Sequence, residues 1–412
     1  MAIPVPEKRI ADFENMGFGM FIHYGLYSQM GCGEWVMNIA NIPVEEYKKL
    51  FDTFTAKDFD ARKIAKTAKA AGMRYITLTT RHHDGFSLYD TKGLSDYDAP
   101  HSPAHRDLVR EFVEACREEG LMPMFYHTTL DWYQPSFKND FPAYLDYLNK
   151  SVEVLCTEYG KIGGLWFDGN WSRPASDWDP DTLYAIIRKH QPEALIIDNT
   201  GLTGRGVVGH PELDSVTFEQ GRPTPLYRDG MPKYVAAEMC HTMNDHWGFG
   251  AGDFNYKSLP SMIETLCACR KVGANYLLNV GPDGDGNIVP MQKIILEYMG
   301  KWMNTCGQSL YRGKPCEIAG EFKNFALEAD GKVYLYIHDL NVAGDANVIV
   351  DGGGRGFKYF KNVKRKVRGV RWTDTGEELD YVQHGENLWF NATGFPYGCN
   401  YVVRVAEVEF DD

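Results

Sequence analysis

One carboxylate stands out by its surroundings. In the stretch LWFDGNW, Leu165 to Trp171, Asp168 sits between large apolar residues and a glycine, with tryptophans two residues before it and three after. A short apolar run bounded by glycines reads as a buried strand, and a polar residue at its end begins a turn. Alone, Asp168 could be a turn residue bonded to its own backbone. Polar residues recur, however, at or just past other apolar runs: His23, then His82 and His83, Tyr126, Asp198, Glu219, Glu238 and Asn279. Each has a structural explanation singly, as a core histidine or a salt-bridge partner, but the series points to a ring of functional groups.

Two chemistries suit such a ring. Paired carboxylates can divide the work of acid and of base or nucleophile, whereas a barrel metal site needs several neutral imidazoles and a carboxylate converging on one ion. RHHDGF, Arg81 to Phe86, is the only histidine cluster, and nothing resembles HxH or HExxH. Adjacent strand residues face opposite ways, so His82 and His83 share a target only if their strand has already ended. PDGDGN has some character of a calcium loop, but Ile288 stands where the glycine belongs and no closing glutamate follows, so it reads as a turn. No GxSxG elbow is present, and GGGRG at Gly352 lacks the helix a phosphate loop requires. Carboxylates among histidines and aromatics match the way sugars are held, with ring faces on Trp or Tyr and hydroxyls on fixed polar groups.

The elements that must position these groups alternate along the chain. GMFIHYG, MRYITLTT, LMPMFYHTT, IGGLWFDGN, EALIIDNT, SVTFEQG, KYVAAEMC and NYLLNVG read as eight strands, of which SVTFEQG and KYVAAEMC are short and weak. Between them lie amphipathic segments such as HRDLVREFVEACREEG and FPAYLDYLNKSVEVLCTEYG, closed by glycines. The links after strands five and six read as non-helical. This is the count and length of an irregular (β/α)8 barrel, an α/β fold whose active site gathers where the strands end. After Gly307 short alternating runs such as KVYLYIHDL, ANVIVDGG, KVRGVRWTD and YVVRVAEVEF predict a small antiparallel β-sandwich. The expected division is 1–310 for the barrel and 311–412 for the sandwich.

Composition narrows the ligand. With 43 Lys and Arg against 56 Asp and Glu, the net charge of −13 disfavours a nucleic acid, whose binding rests on basic groups. No segment approaches the roughly 20 apolar residues of a membrane span, and the start, MAIPVPEKRIADFENMG, has no apolar core of signal-peptide length. Nine cysteines without CxxC pairs suggest reduced thiols, and a cytoplasmic location is expected. The sequons at Asn170 and Asn391 then carry no meaning.

GMFIHYG, GEW, RHHDGFSLYDT, FYHTTLDW, LWFDGNW, TFEQ, EMCHTMNDHWGFG and NYLLNVGPDGDGNI, in that order, resemble the α-L-fucosidases of glycoside hydrolase family 29. The resemblance implies a (β/α)8-like domain followed by a β-sandwich, and hydrolysis of terminal α-linked L-fucose with retention and without metal or other cofactor. The partner it implies is a fucosylated oligosaccharide or glycoconjugate. Residue by residue, the nucleophile falls on Asp168. The acid/base falls on Glu219 of VTFEQ, where Phe218 replaces a usual proline, with Glu238 as the alternative. Sugar contacts are implied for His23, Glu34, Trp35, His82, His83 and Tyr126, with Trp166 and Trp247 as walls and Arg205 as a match to an arginine preceding the acid/base. His127 departs from the pattern, standing where a small polar residue is expected. Two rival readings are a metal-dependent hydrolase using His23, His82, His83 and Asp168, and a non-catalytic fucose-binding protein.

Overall fold

The computed structural model describes residues 3–199, 204–344, 347–349 and 353–411. Eight parallel strands close into a barrel in chain order: β1 Phe18–Ile22, β2 Tyr75–Arg81, β3 Met122–Thr128, β4 Gly164–Asp168, β5 Leu195–Asp198, β6 Ser215–Glu219, β7 Ala236–His241 and β8 Asn275–Val280. Parallel strands covered on both sides are mostly apolar, and β1, β2 and β8 are buried at every position. All eight expected strands are present. The link after β6 holds no helix, as expected, whereas after β5 Gly204 is helical and the other described residues are turns and irregular chain.

Helices follow the other strands where amphipathic segments meet a cap. Asp60, Asp107 and Asp140 each accept a backbone N–H three residues on, opening Ala61–Ala70, Leu108–Glu119 and Phe141–Glu158. Asp179 and Ser258 open Pro180–His190 and Leu259–Lys271 in the same way.

The barrel interior is packed by Phe21, Tyr75, Met124, Trp166, Ile197 and Leu277, while Ile10 and Phe13 of the helix Lys8–Glu14 join the same core. Gly19 makes room for Tyr75, since a β-carbon there would lie 2.4 Å from the phenol ring. At the opposite end from the active rim, Asp214 lies before β6 with its side chain wholly buried. It gathers Arg9 at 3.0 Å, Arg188 at 2.8 Å and Lys233 at 2.7 Å.

The remaining strands form one antiparallel, sandwich-like sheet in the order β13-β16-β11-β10-β9-β12-β15-β14. These are β9 Lys314–Gly320, β10 Phe325–Ala329, β11 Lys332–Ile337, β12 Gly356–Lys361, β13 Val367–Trp372, β14 Tyr381–His384, β15 Asn387–Ala392 and β16 Arg404–Phe410. Alternate residues turn inward to a core containing Leu335, Phe360, Trp372 and Phe390. Half of the run ANVIVDGG lies outside the described residues, and 347–349 within it form a turn rather than the expected strand.

The chain divides into two compact units, Met1–Lys257 with Asn275–Glu297, and Ser258–Ala274 with Tyr298–Asp412. This partition is less simple than one cut near residue 310. The helix Leu259–Lys271 belongs with the second unit because its buried Arg270 donates to the carbonyls of Ala274, Leu310 and Gly313.

Candidate active site

Asp168 is the last residue of β4, and the turn after it needs a glycine. Gly169 has φ +114°, and a β-carbon on it would lie 2.6 Å from the Leu130 backbone nitrogen. The turn brings Trp171 back over the carboxylate. Asp168 accepts at Oδ1 from Trp171 Nε1 at 2.9 Å and from Asn199 Nδ2 at 3.3 Å, and at Oδ2 from the Tyr126 hydroxyl at 3.1 Å. His83 Nε2 stands 3.5 Å from Oδ2. Burial alone would push this carboxyl up, but the donors His83, Trp171 and Tyr126 outweigh it and hold Asp168 below the ordinary carboxylate range.

Glu219 ends β6 and faces the same space. Its Oε2 accepts from Asn199 Nδ2 at 2.6 Å, and Asn199 is fixed in turn by the Thr217 hydroxyl on its Oδ1 at 3.0 Å. One amide nitrogen therefore bridges both carboxylates. Its legs of 3.3 and 2.6 Å add to 5.9 Å, the greatest possible separation of Asp168 Oδ1 and Glu219 Oε2. Burial pushes Glu219 above the usual range; the Asn199 bond opposes this, and the charges of Asp168 and Glu34 add to the rise. The two acids are thus driven in opposite directions, as a nucleophile or base and an acid must be.

Around them lies a cavity of about 220 Å³ lined by His23, His82, Tyr126, Trp166 and Trp247, with Trp35, Trp171 and Phe21. His23 Nδ1 lies 2.7 Å from Asn279 Oδ1, and the Asn279 amide donates to the Trp247 carbonyl at 2.7 Å. Asn279 thus presents an acceptor, so the imidazole proton is on Nδ1 and Nε2 is left as an acceptor. Burial lowers the His23 pKa to about 3 and drives His82 well below its ordinary value, so both rings are neutral. His82 stacks against Tyr126, ring centres 5.5 Å apart.

β2 ends at Arg81, so His82 and His83 both lie past the strand. They divide the work: His82 lines the cavity, whereas His83 braces Asp168 with Nδ1 2.7 Å from Thr128 Oγ1. Trp35 stacks with Trp171, centres 5.9 Å apart.

Four of the expected residues lie outside the cavity lining: His83, which braces Asp168, and Glu34, Arg205 and Glu238. Glu34 is buried, and its Oε2 accepts the backbone N–H of Trp247 at 3.1 Å and of Gly248 at 2.8 Å, so it holds the Trp247 turn. Arg205 is exposed, packed beside Gly221 two residues past Glu219, and its charge lowers Glu219 slightly against burial. Glu238 lies inside the barrel beneath the cavity. It is 1% exposed and accepts from Tyr75 at 2.5 Å and from Trp166 Nε1 at 3.0 Å. Register explains the difference between the two glutamates: Glu219 pairs with Cys240 and Thr217 with Glu238, which places Glu238 two residues deeper.

His127 is wholly buried behind the barrel wall, with Nδ1 3.0 Å from Thr80 Oγ1. Among the described residues, no three His, Cys, Asp or Glu side chains are grouped to hold a metal ion. Asn199 is a site residue that the sequence motifs do not single out. Its signal is its place directly after Asp198 at the end of an apolar run.

The family model described as Alpha-L-fucosidase matches residues 6–308. The chain belongs to the α-L-fucosidase family. It is similar to the mouse tissue alpha-L-fucosidase, 28% identical over 341 residues that cover 75% of this chain and 73% of that protein. The structure of alpha-L-fucosidase isoenzyme 1 from Paenibacillus thiaminolyticus is 32% identical, covers 98% of this chain and 99% of that one, and superposes with a TM-score of 0.84. A Bacteroides thetaiotaomicron alpha-L-fucosidase trapped as a covalent intermediate with 2-fluoro-fucosyl fluoride shares the fold at 24% identity. Its TM-score is 0.84, with 100% of this chain and 98% of that one covered. The enzyme is a glycoside hydrolase.

Proposed function

We propose that the enzyme releases terminal α-linked L-fucose from glycans by double displacement, with Asp168 as nucleophile and Glu219 as acid/base. The observation that carries this reading is the Asn199 bridge. It keeps one oxygen of each carboxylate within 5.9 Å of the other, an approach that the roughly 5 to 5.5 Å carboxyl separation of a retaining enzyme requires. Asp168 attacks the anomeric carbon as the glycosidic bond breaks, and protonated Glu219 gives its proton to the departing oxygen. Water then loses a proton to Glu219 and attacks the same carbon, the ester bond breaks, and the Asp168 carboxylate returns.

Neutral His23 and His82 offer nitrogen acceptors to sugar hydroxyls. The apolar wall of Phe21, Trp166, Trp247 and Cys240 suits the methyl carbon of a 6-deoxy sugar. Glu34 and His83 act through the groups they brace. Glu238, which accepts from Trp166 Nε1, positions that ring in this reading and takes no part in proton transfer. The nine cysteines are all unpaired, which supports a reducing, cytoplasmic location as part of the same reading.

Proton NMR of the first sugar released from an aryl α-L-fucoside tests the mechanism. Retention gives the α-anomer first, and initial β-anomer overturns it. For the assignment of Glu219, Glu219→Ala should lose activity most on poor leaving groups and regain it with azide as a fucosyl azide. Rescue at Glu238→Ala instead would transfer the role.

A further inference from the structure

Glu219 is the last residue of β6, and no regular element takes over behind it: residues 221–235 form neither helix nor strand. A glutamate at such an end keeps its aim only if the turn that follows is fixed. Gln220 occupies that turn with φ +54°, the left-handed region that disfavours residues with a β-carbon and suits glycine. Its N–H donates to the Cys240 carbonyl at 2.9 Å, one step past the register pair Glu219 and Cys240. Glycine would suit this backbone better, so what the glutamine adds is its side chain.

That side chain reaches across to the chain just past β7. Gln220 Nε2 donates to Thr242 Oγ1 at 2.9 Å, and the Thr242 backbone N–H points to Gln220 Oε1 at 3.4 Å. Thr242 is buried, and its hydroxyl is fully used. The proton goes to the nearer of two acceptors, the Asn244 carbonyl at 2.5 Å rather than Gln220 Oε1 at 3.3 Å, so both lone pairs are left to receive Gln220 and the Lys257 ammonium at 2.9 Å. Lys257 Nζ also donates to the Asn244 carbonyl at 2.9 Å, and its backbone N–H to the Met243 carbonyl at 2.8 Å. Gln220 is itself exposed, but the anchor it is tied to is buried and saturated.

We propose that Gln220 is a positioning residue for Glu219: by tying the end of β6 to the chain past β7 it holds the left-handed turn that aims the acid at the departing oxygen. The inference rests on the reading of Glu219 as acid/base. Asn199 holds the carboxylate itself, whereas Gln220 fixes the backbone from which the Glu219 side chain springs.

Gln220→Gly tests it, because glycine accepts the backbone conformation and only the clamp is lost. Turnover is followed over a series of aryl α-L-fucosides, from the dinitrophenyl to the methoxyphenyl compound. A misaimed acid costs most where the departing oxygen needs its proton, so kcat/KM should fall about tenfold or more on the methoxyphenyl fucoside and less than about threefold on the dinitrophenyl one. Thr242→Val, which removes the anchor, should give the same pattern. In a Glu219→Ala background neither change should alter the leaving-group dependence or the rescue by azide. Circular dichroism confirms the fold of each variant, and either one that retains it suffices. A loss equal across the series, no loss in a folded variant, or a further change of leaving-group dependence in the Glu219→Ala background overturns the proposal. If Glu219→Ala alone leaves the leaving-group dependence unchanged, the acid/base reading fails and this proposal with it; the expected Glu219→Ala phenotype beside a parental Gln220→Gly overturns this proposal alone.

Discussion

Replacing Asn199 with alanine removes the group that, among the described residues, touches both proposed catalytic carboxylates. The 2.6 Å bond to Glu219 is charge-assisted whenever that acid is ionised, and the 3.3 Å contact to Asp168 is weaker. A hydrogen bond to a charged group contributes about 1.5 to 3 kcal/mol, equivalent to a factor of about 10 to 100 in rate. The Thr217 hydroxyl, which donates to Asn199, is also left without its acceptor. We therefore expect Asn199→Ala to lower kcat/KM on an aryl fucoside by about 10- to 100-fold.

The pH profile gives the sharper test. Asn199 favours ionised Glu219 and so opposes the rise that burial imposes. Without it Glu219 holds its proton to higher pH, and the alkaline limb of kcat/KM moves up. Asp168, losing one of its donors, also ionises at higher pH, so the acid limb moves in the same direction. A rate loss with both limbs unmoved, or an alkaline limb that moves down, would refute the bridging role.

Tyr126→Phe removes a 3.1 Å donor that helps hold Asp168 low; the acid limb of kcat/KM should move to higher pH while the alkaline limb stays. Glu238→Gln offers one carbonyl to two donors, Tyr75 and Trp166, so activity should drop modestly without azide rescue and with the same leaving-group dependence as the parent enzyme. Asp214→Asn leaves three half-buried cationic partners short of a charge and should cost about 1.5 to 3 kcal/mol of stability in thermal or denaturant unfolding. Because Asp214 sits below its ordinary range despite its burial, held there by Arg9, Lys233 and Arg188, its contribution is present above about pH 4 and is lost as pH falls through its folded value. The difference in Tm between parent and variant should accordingly narrow in acid.

The barrel was legible because parallel strands covered on both faces are mostly apolar, and because a polar residue lies at or beside the end of each. Even SVTFEQG and KYVAAEMC, the weak runs, are β6 and β7. Sequence could not fix depth or facing at the rim. Glu219 and Glu238 each follow a short apolar run, yet register places one in the cavity and the other beneath it. Asp198 and Asn199 are neighbours, and it is the less reactive side chain that turns inward to join the carboxylates, while the aspartate turns out. His82 and His83 separate for the same reason once the strand has stopped. Glu34 and Arg205 matched a motif, but whether a side chain reaches the sugar or braces a loop depends on backbone geometry many residues away.

In the proposed mechanism Asp168 forms a covalent bond to the sugar. Incubating the enzyme with 2-fluoro-L-fucosyl fluoride and mapping the labelled peptide by mass spectrometry tests it most directly. One fluorofucosyl adduct per chain is expected, on Asp168, and none in Asp168→Ala. An adduct on another carboxylate, or initial release of β-L-fucose with no adduct at all, would contradict it.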